Sequence, residues 1–214
     1  MPAMPADTGP QYRYTGTAPE HTHAYLFGEV RQFIAMCQPR KLFELGCGNG
    51  ALAARMAGLG VEVTAIDTSE SGIEIARKEH PGVRFEHASA YDDLATRFGS
   101  FPAVVSLEVI EHLYDPRKMA ANLYSLVEEG GYALVSTPYH GYWKNLALAL
   151  SGRMDAHFTS LWDGGHIKFW SVQTLTRLLQ EAGFVDLQFK RVGRVPALAR
   201  SMVVVARKPM GTGR

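Results

Sequence analysis

The chain has 214 residues, 46% of them hydrophobic, a net charge of +1 and two cysteines, Cys37 and Cys47. That is apolar material enough for one substantial core. It excludes a disulfide framework or a four-cysteine metal site, and it gives no bulk charge that would draw the protein to nucleic acid or to an anionic membrane. Met1–Ala6 lacks the basic start and apolar core of a signal peptide. No run of about 18 apolar residues suggests a spanning helix, and a reducing cytoplasm is the expected setting.

Residues 1–22, rich in Pro, Gly and Thr, read as a mobile arm, with Tyr12–Tyr14 a solvated tail. One domain is expected over 23–209, with 210–214 as a short tail. It opens with a helix over His23–Gln38 that presents Leu26, Val30, Phe33 and Ile34 on one face and stops at Pro39. The apolar strand Lys41–Leu45 runs into Gly46-Cys47-Gly48-Asn49-Gly50, and a helix over Ala51–Leu59 follows. Such a turn lets a ligand approach the backbone and aims helix N–H groups at it. A second strand, Val61–Ile66, ends at Asp67, where a carboxylate can take both hydroxyls of a ribose. Then come a helix over Ser69–Glu79, a strand at Val83–His87 and a helical turn at Tyr91–Phe98. The near-continuous apolar run Ala103–Leu107 suits a strand buried on both faces of a parallel sheet. A helix over Pro116–Leu126 is given Gly130-Gly131 as its stop, and Tyr132–Ser136 is the fifth strand. A helix over Val172–Ala182 stops at Gly183. Phe184–Arg191 and Ser201–Ala206 read as antiparallel neighbours at one edge. Strands alternating with helices predict a doubly wound α/β sheet, mostly parallel, with helices on both faces.

Tyr139–Gly165 breaks the alternation. It is long, rich in aromatic residues and histidine, and holds a short helix at Tyr142–Leu150. Long connections in compact domains tend to be functional, and this one leaves the carboxyl edge of the sheet, so 139–170 reads as a substrate lid. From Lys190 onward seven basic side chains appear with no acidic one. They read as a solvated edge rather than an RNA-binding strip.

Glu44 directly precedes the glycines, a place where a dinucleotide fingerprint needs no carboxylate and where a cationic ligand would use one. Glu44-Leu45-Gly46-Cys47-Gly48-Asn49-Gly50, with Asp67 closing the next strand, resembles the first motif of the class I S-adenosylmethionine (SAM)-dependent methyltransferases. The resemblance implies a Rossmann-like seven-stranded sheet with an antiparallel C-terminal edge strand, SAM as cofactor and S-adenosylhomocysteine (SAH) as product. Glu44 would face the cationic amino group of the methionine portion. Gly46, Cys47, Gly48, Asn49 and Gly50 would allow close approach, and Asp67 would hold the ribose. Thr68 and Ser69 would lie beside the adenosine. Ser89, Ala90 and Tyr91 would meet the adenine, with Ser89 standing where the family often has an acid. Arg13 or His23 would meet the methionine carboxylate.

Glu108-Val109-Ile110-Glu111-His112 with Asp115-Pro116 is similar to the branch containing the ubiquinone-biosynthesis O-methyltransferases. By that similarity Glu108 and Val109 line the cofactor. Glu111 and His112 sit at the reaction end, as a general base or as ligands for a divalent cation, though no metal is assigned. Tyr139, Tyr142, Trp143, Lys144 and Trp170 would contact the acceptor. His166, in Gly164-Gly165-His166, is the first candidate base, with His140 and His112 next. The implied activity is methyl transfer to a small molecule at a hydroxyl oxygen, by a monomer or homodimer. N-methylation and non-catalytic SAM binding are the alternatives. An oxidoreductase is disfavoured by Glu44 and by the missing Tyr-x-x-x-Lys pair.

Overall fold

The computed structural model describes Tyr14, Gly16 and residues 23–211. Of the expected arm, only Tyr14 and Gly16 are among them; the assignments to Arg13 and to the side chain of His23 lie outside. The elements run α1 (His23–Cys37), β1 (Lys41–Leu45), α2 (Ala51–Ala57), β2 (Glu62–Asp67), α3 (Glu70–Glu79), β3 (Arg84–His87), α4 (Leu94–Phe98) and β4 (Phe101–Leu107). Then follow α5 (Pro116–Leu126), β5 (Val127–Pro138), α6 (Tyr142–Leu150), α7 (Met154–Phe158), α8 (Val172–Glu181), β6 (Val185–Val192) and β7 (Ser201–Arg207).

The strands form one seven-stranded sheet in the order β3-β2-β1-β4-β5-β7-β6. β1 lies parallel between β2 and β4, so the order reverses there and a crevice opens at the carboxyl ends of β1 and β4. The last two strands are antiparallel neighbours at one edge, as expected; β7 takes the inner place against β5 and β6 the outer one. Alternate residues of β1 face opposite sides. Phe43 and Leu45 join a core with α5 and α8, while Leu42 joins a second core with Leu26, Val30, Phe33 and Ile34 of α1.

One expected boundary is corrected. Gly130-Gly131 does not stop α5. The helix ends at Leu126, Val127 is already extended, and β5 runs through both glycines. Phe101 pairs with Val127 and Ala103 with Tyr132, so 128–131 bulge out of the ladder. Gly130 at φ 76° makes that excursion possible.

Candidate active site

The candidate cofactor shelf begins at Glu44, which ends up buried because β1 is the central strand and covered on both faces. Among the described residues its Oε2 has no hydrogen-bond partner. Burial, with a smaller push from Asp67, raises its pKa from 4.5 to about 8. Asp67 ends β2 one strand away. Its Oδ2 accepts the Gly48 N–H at 2.7 Å and its Oδ1 the Ser69 N–H at 2.8 Å. Burial raises its pKa, and these amide bonds oppose the rise. Asp67 thus ties the glycine loop to the start of α3. Ser69, buried, caps α3 by accepting from Gly72. Thr68 is exposed, and its carbonyl meets the His87 ring.

A Cβ on Gly46 would collide with the Val109 side chain, which fixes Val109 against the loop. Asn49 is buried; its Nδ2 donates to the Gly16 carbonyl at 3.0 Å and its Oδ1 accepts from Ala51. Cys47 is buried, and its thiol is pushed well up by burial. On the far side of β2, Ser89 builds a turn: its N–H donates to Asp92 and its hydroxyl accepts from Tyr91. Ala90 is held through its carbonyl by Asn122, and the Tyr91 hydroxyl accepts the Asp115 N–H.

The residues expected at the reaction end are built on the exit of β4. Glu108 has φ 55°, a left-handed backbone that is costly for a side-chain-bearing residue and typical of functional sites. Ser136 Oγ donates to its Oε1 at 2.7 Å and Ser201 Oγ to its Oε2 at 3.3 Å; Tyr25 in turn bonds Ser201. Glu111 is fully buried. Thr137 donates to its Oε2 at 3.0 Å, and its Oε1 has no hydrogen-bond partner among the described residues. Burial, then Glu108, pushes its carboxyl well above the ordinary value.

His112 Nδ1 lies 2.8 Å from the Gly164 carbonyl. A carbonyl only accepts, so the proton sits on Nδ1 and Nε2 carries a lone pair. The Ile167 and Lys168 N–H groups donate to the Glu111 carbonyl at 2.9 and 3.0 Å. These bonds pin the Gly-Gly-His segment to the β4 exit, and His166 Nε2 stands 4.0 Å from Glu111 Oε1. Burial, with His112, His157 and Lys144 adding to it, lowers His166 to about 4. One ligand atom each from Glu111, His112 and His166 lies within 4.8 Å of the others. The sequence reading assigned no metal here; an unpartnered buried carboxylate oxygen beside two imidazoles is a donor set that fits a divalent cation.

The lid residues divide. His140 is partly buried, its N–H donating to the Trp170 carbonyl at 3.2 Å, and burial with the Lys144 charge lowers its pKa to about 4. Lys144 Nζ donates to the Tyr139 carbonyl at 2.8 Å, and Tyr139 packs on the core. Trp170, 7% exposed, belongs to the core. Tyr142 and Trp143, expected to wall the acceptor, are instead 73% and 65% exposed at the start of α6, a helix that buries no residue. Tyr14, read as solvated tail, also differs: its N–H donates to Ser71, and its ring lies where a Cβ on Gly48 or Gly72 would be.

The sheet order and the acid-glycine shelf define a Rossmann-like, SAM-dependent methyltransferase fold. The chain belongs to the methyltransferase domain family, whose model matches residues 19–188. It is 34% identical over 151 residues to a ubiquinone biosynthesis O-methyltransferase of Thiobacillus denitrificans, covering 67% of this chain and 64% of that protein. It is 32% identical over 158 residues to the protein of the same name from Dinoroseobacter shibae, covering 70% and 62%. The chain therefore spans less than two thirds of the length of these relatives. Among solved structures it resembles an O-methyltransferase family protein from Burkholderia thailandensis (TM-score 0.68, 16% identity, 87% of this chain and 56% of that one). It also resembles human N-acetylserotonin methyltransferase, solved in complex with SAM (TM-score 0.62, 18% identity, 84% and 51%).

Proposed function

We propose that this protein transfers the methyl group of SAM to a hydroxyl oxygen of a small-molecule acceptor. The observation that carries the reading is the convergence of Glu111, His112 and His166 at the carboxyl end of β4, beside β1, where Glu44 keeps an oxygen unpartnered among the described residues. Glu44 receives the ammonium of the methionine portion, and Asp67 and Val109 frame the nucleoside. The O-methyltransferase names of the relatives support oxygen as the acceptor atom.

In the reaction the acceptor oxygen attacks the methyl carbon in line, and the carbon–sulfur pair returns to sulfur, leaving SAH. The hydroxyl proton passes to the lone pair of His166 Nε2. Positive charge moves from sulfonium to imidazolium, beside a Glu111 carboxyl oxygen 4.0 Å away that offers it a lone pair. The donor set Glu111 Oε1, His112 Nε2 and His166 would also hold a divalent cation, which when bound would lower the pKa of a hydroxyl beside it. A cytoplasmic monomer or homodimer acting on neither nucleic acid nor membrane goes with this reading.

The test is methyl transfer from isotopically labelled SAM to a panel of phenols, catechols and amines, with SAH uptake measured by calorimetry. Transfer to hydroxyls, reduced about 100-fold or more in His166→Ala, is expected. Preference for amines, with His166→Ala retaining most of the rate, would assign N-methylation. SAH uptake without transfer to any acceptor would leave a binding module.

A further inference from the structure

Side chains from α1, β5 and β7 converge on Glu108 at the exit of β4. Ser136 of β5 donates to Oε1 at 2.7 Å, and Ser201 of β7 donates to Oε2 at 3.3 Å. The Tyr25 hydroxyl of α1 lies 3.0 Å from Ser201 Oγ. A serine hydroxyl has one proton to give, and a carboxylate oxygen only accepts. The Ser201 proton is therefore spent on Glu108, and Tyr25 donates to Ser201. The chain of donors runs one way, from Tyr25 through Ser201 to Glu108. Burial raises the Tyr25 pKa, and the Glu108 and Glu111 charges add to the rise against the Ser201 bond and Arg200, so the phenol keeps its proton to donate.

Ser136 and Ser201 are buried, yet both hydroxyls serve a carboxylate that is itself partly exposed. Its backbone is held as firmly. The Glu108 N–H donates to the Ser136 carbonyl at 3.2 Å and to its hydroxyl at 3.1 Å, and φ is 55°. Strain of this kind persists only where the surroundings impose it, and it gathers at functional sites. The next residue, Val109, lies against Gly46 of the glycine loop, and Glu111 follows in the same turn at the reaction end. Glu108 thus stands between the shelf that would carry the methionine portion and nucleoside and the centre that would carry the acceptor. In SAM the atom at that junction is the sulfonium, which joins both portions to the methyl group. The other acids at this edge are less suited to meet it. Burial raises Glu44 and Glu111 toward the neutral form, and Asp67 is engaged by the Gly48 and Ser69 N–H groups. Glu108 accepts a hydroxyl proton at each oxygen, the pattern of a carboxylate held in one orientation.

We propose that Tyr25 and Ser201 are positioning residues for methyl transfer, holding the Glu108 carboxylate toward the sulfonium of SAM so that the protein tells the charged donor from the neutral thioether of SAH. This rests on the methyl-transfer reading above and adds how that site separates donor from product. Transfer takes the positive charge off sulfur. The attraction to Glu108 ends with it, and the spent cofactor is held less tightly than the one that replaces it.

The experiment measures SAM and SAH affinities by calorimetry on the full chain, in chelator and without acceptor, so that neither a metal nor turnover contributes. The readout is the ratio of the two affinities, because the ligands differ by one methyl group and one charge. Glu108→Gln is expected to shift that ratio about tenfold against SAM, with SAH affinity nearly unchanged. Tyr25→Phe and Ser201→Ala should each shift it about threefold in the same direction. Since Tyr25 acts through Ser201, adding Tyr25→Phe to Ser201→Ala should change nothing further. A ratio unmoved in Glu108→Gln, a ratio unmoved in Tyr25→Phe, equal weakening of both ligands, or additive shifts in the double variant would overturn the proposal. Retained SAH uptake shows that a variant is folded. Tyr25→Phe removes one partly exposed hydroxyl, so it decides the matter even if Ser201→Ala, at a buried position, does not fold. Failure of the wild type to bind either ligand defeats the methyl-transfer reading; binding of both with an unmoved ratio defeats only this one.

Discussion

Glu44 is a carboxyl buried in the central strand with one oxygen unpartnered among the described residues. The folded state keeps its proton up to about pH 8, whereas the unfolded chain releases it near 4.5. Between those values the folded state binds more protons, so this group makes stability fall as pH rises through the window. Glu44→Gln removes the penalty. The variant should match the wild type near pH 4 and exceed it above pH 8 by roughly 2 kcal/mol or more, read as a higher midpoint in urea. The same change should weaken SAH binding about 10- to 100-fold, since it removes the charge that meets the ammonium. At pH 7 SAH uptake by the wild type should release close to one proton, visible as a dependence of calorimetric heat on buffer ionisation. Glu44, Asp67, Glu111 and His112 were legible because each lies within a few residues of its motif. Tyr14, Tyr25 and Ser201 were not. Tyr14 meets Ser71 across 57 residues and Ser201 meets Glu108 across 93, and no local pattern announces such a pairing.

At the scale of elements, the turn from β1 into α2 is where geometry is least negotiable. Gly50 has φ 78°, and a Cβ there would lie 2.7 Å from both Ala76 and the Phe85 ring. Gly50→Ala should therefore cost about 2–4 kcal/mol, part from the left-handed backbone and part from overpacking. A lowered urea midpoint with an unchanged slope would show it. Most strand and helix identities between α1 and β7 were readable, because burial on both faces gives the central strands continuous apolar runs and the core-facing helices keep a 3.6-residue stripe; the short helix α7, which buries no residue, carries no such stripe and was not anticipated. The misread boundary at Gly130-Gly131 has a local cause. A glycine pair looks alike whether it ends a helix or relaxes a bulge, and only the pairing of Phe101 with Val127 decides between them. Tyr142 and Trp143 illustrate the same limit: their aromatic character suggested a wall, but the rotation of α6 about its axis is set by packing the sequence does not display.

Across the whole molecule, rigidity is distributed unevenly in a way that suits closure over an acceptor. The central strands are buried almost throughout, whereas α6 and α7 bury no residue. One short stretch of the lid is an exception, since the Ile167 and Lys168 N–H groups are bonded to the Glu111 carbonyl. The 139–170 segment is thus tied to the β4 exit by these backbone bonds and little buried across α6 and α7. Hydrogen exchange should report both. Amides of 142–158 should exchange at least about 100-fold faster than those of β1, β4 and β5, because few buried contacts oppose local opening. Amides 167 and 168 should be protected like the sheet. SAH alone should slow exchange in the glycine loop and leave 142–158 fast; SAH with a bound acceptor should slow the span as well. Uniform protection across 142–168 without ligand would mean that the cover is part of the rigid frame. His166 would then owe its place to the whole lid rather than to two backbone bonds.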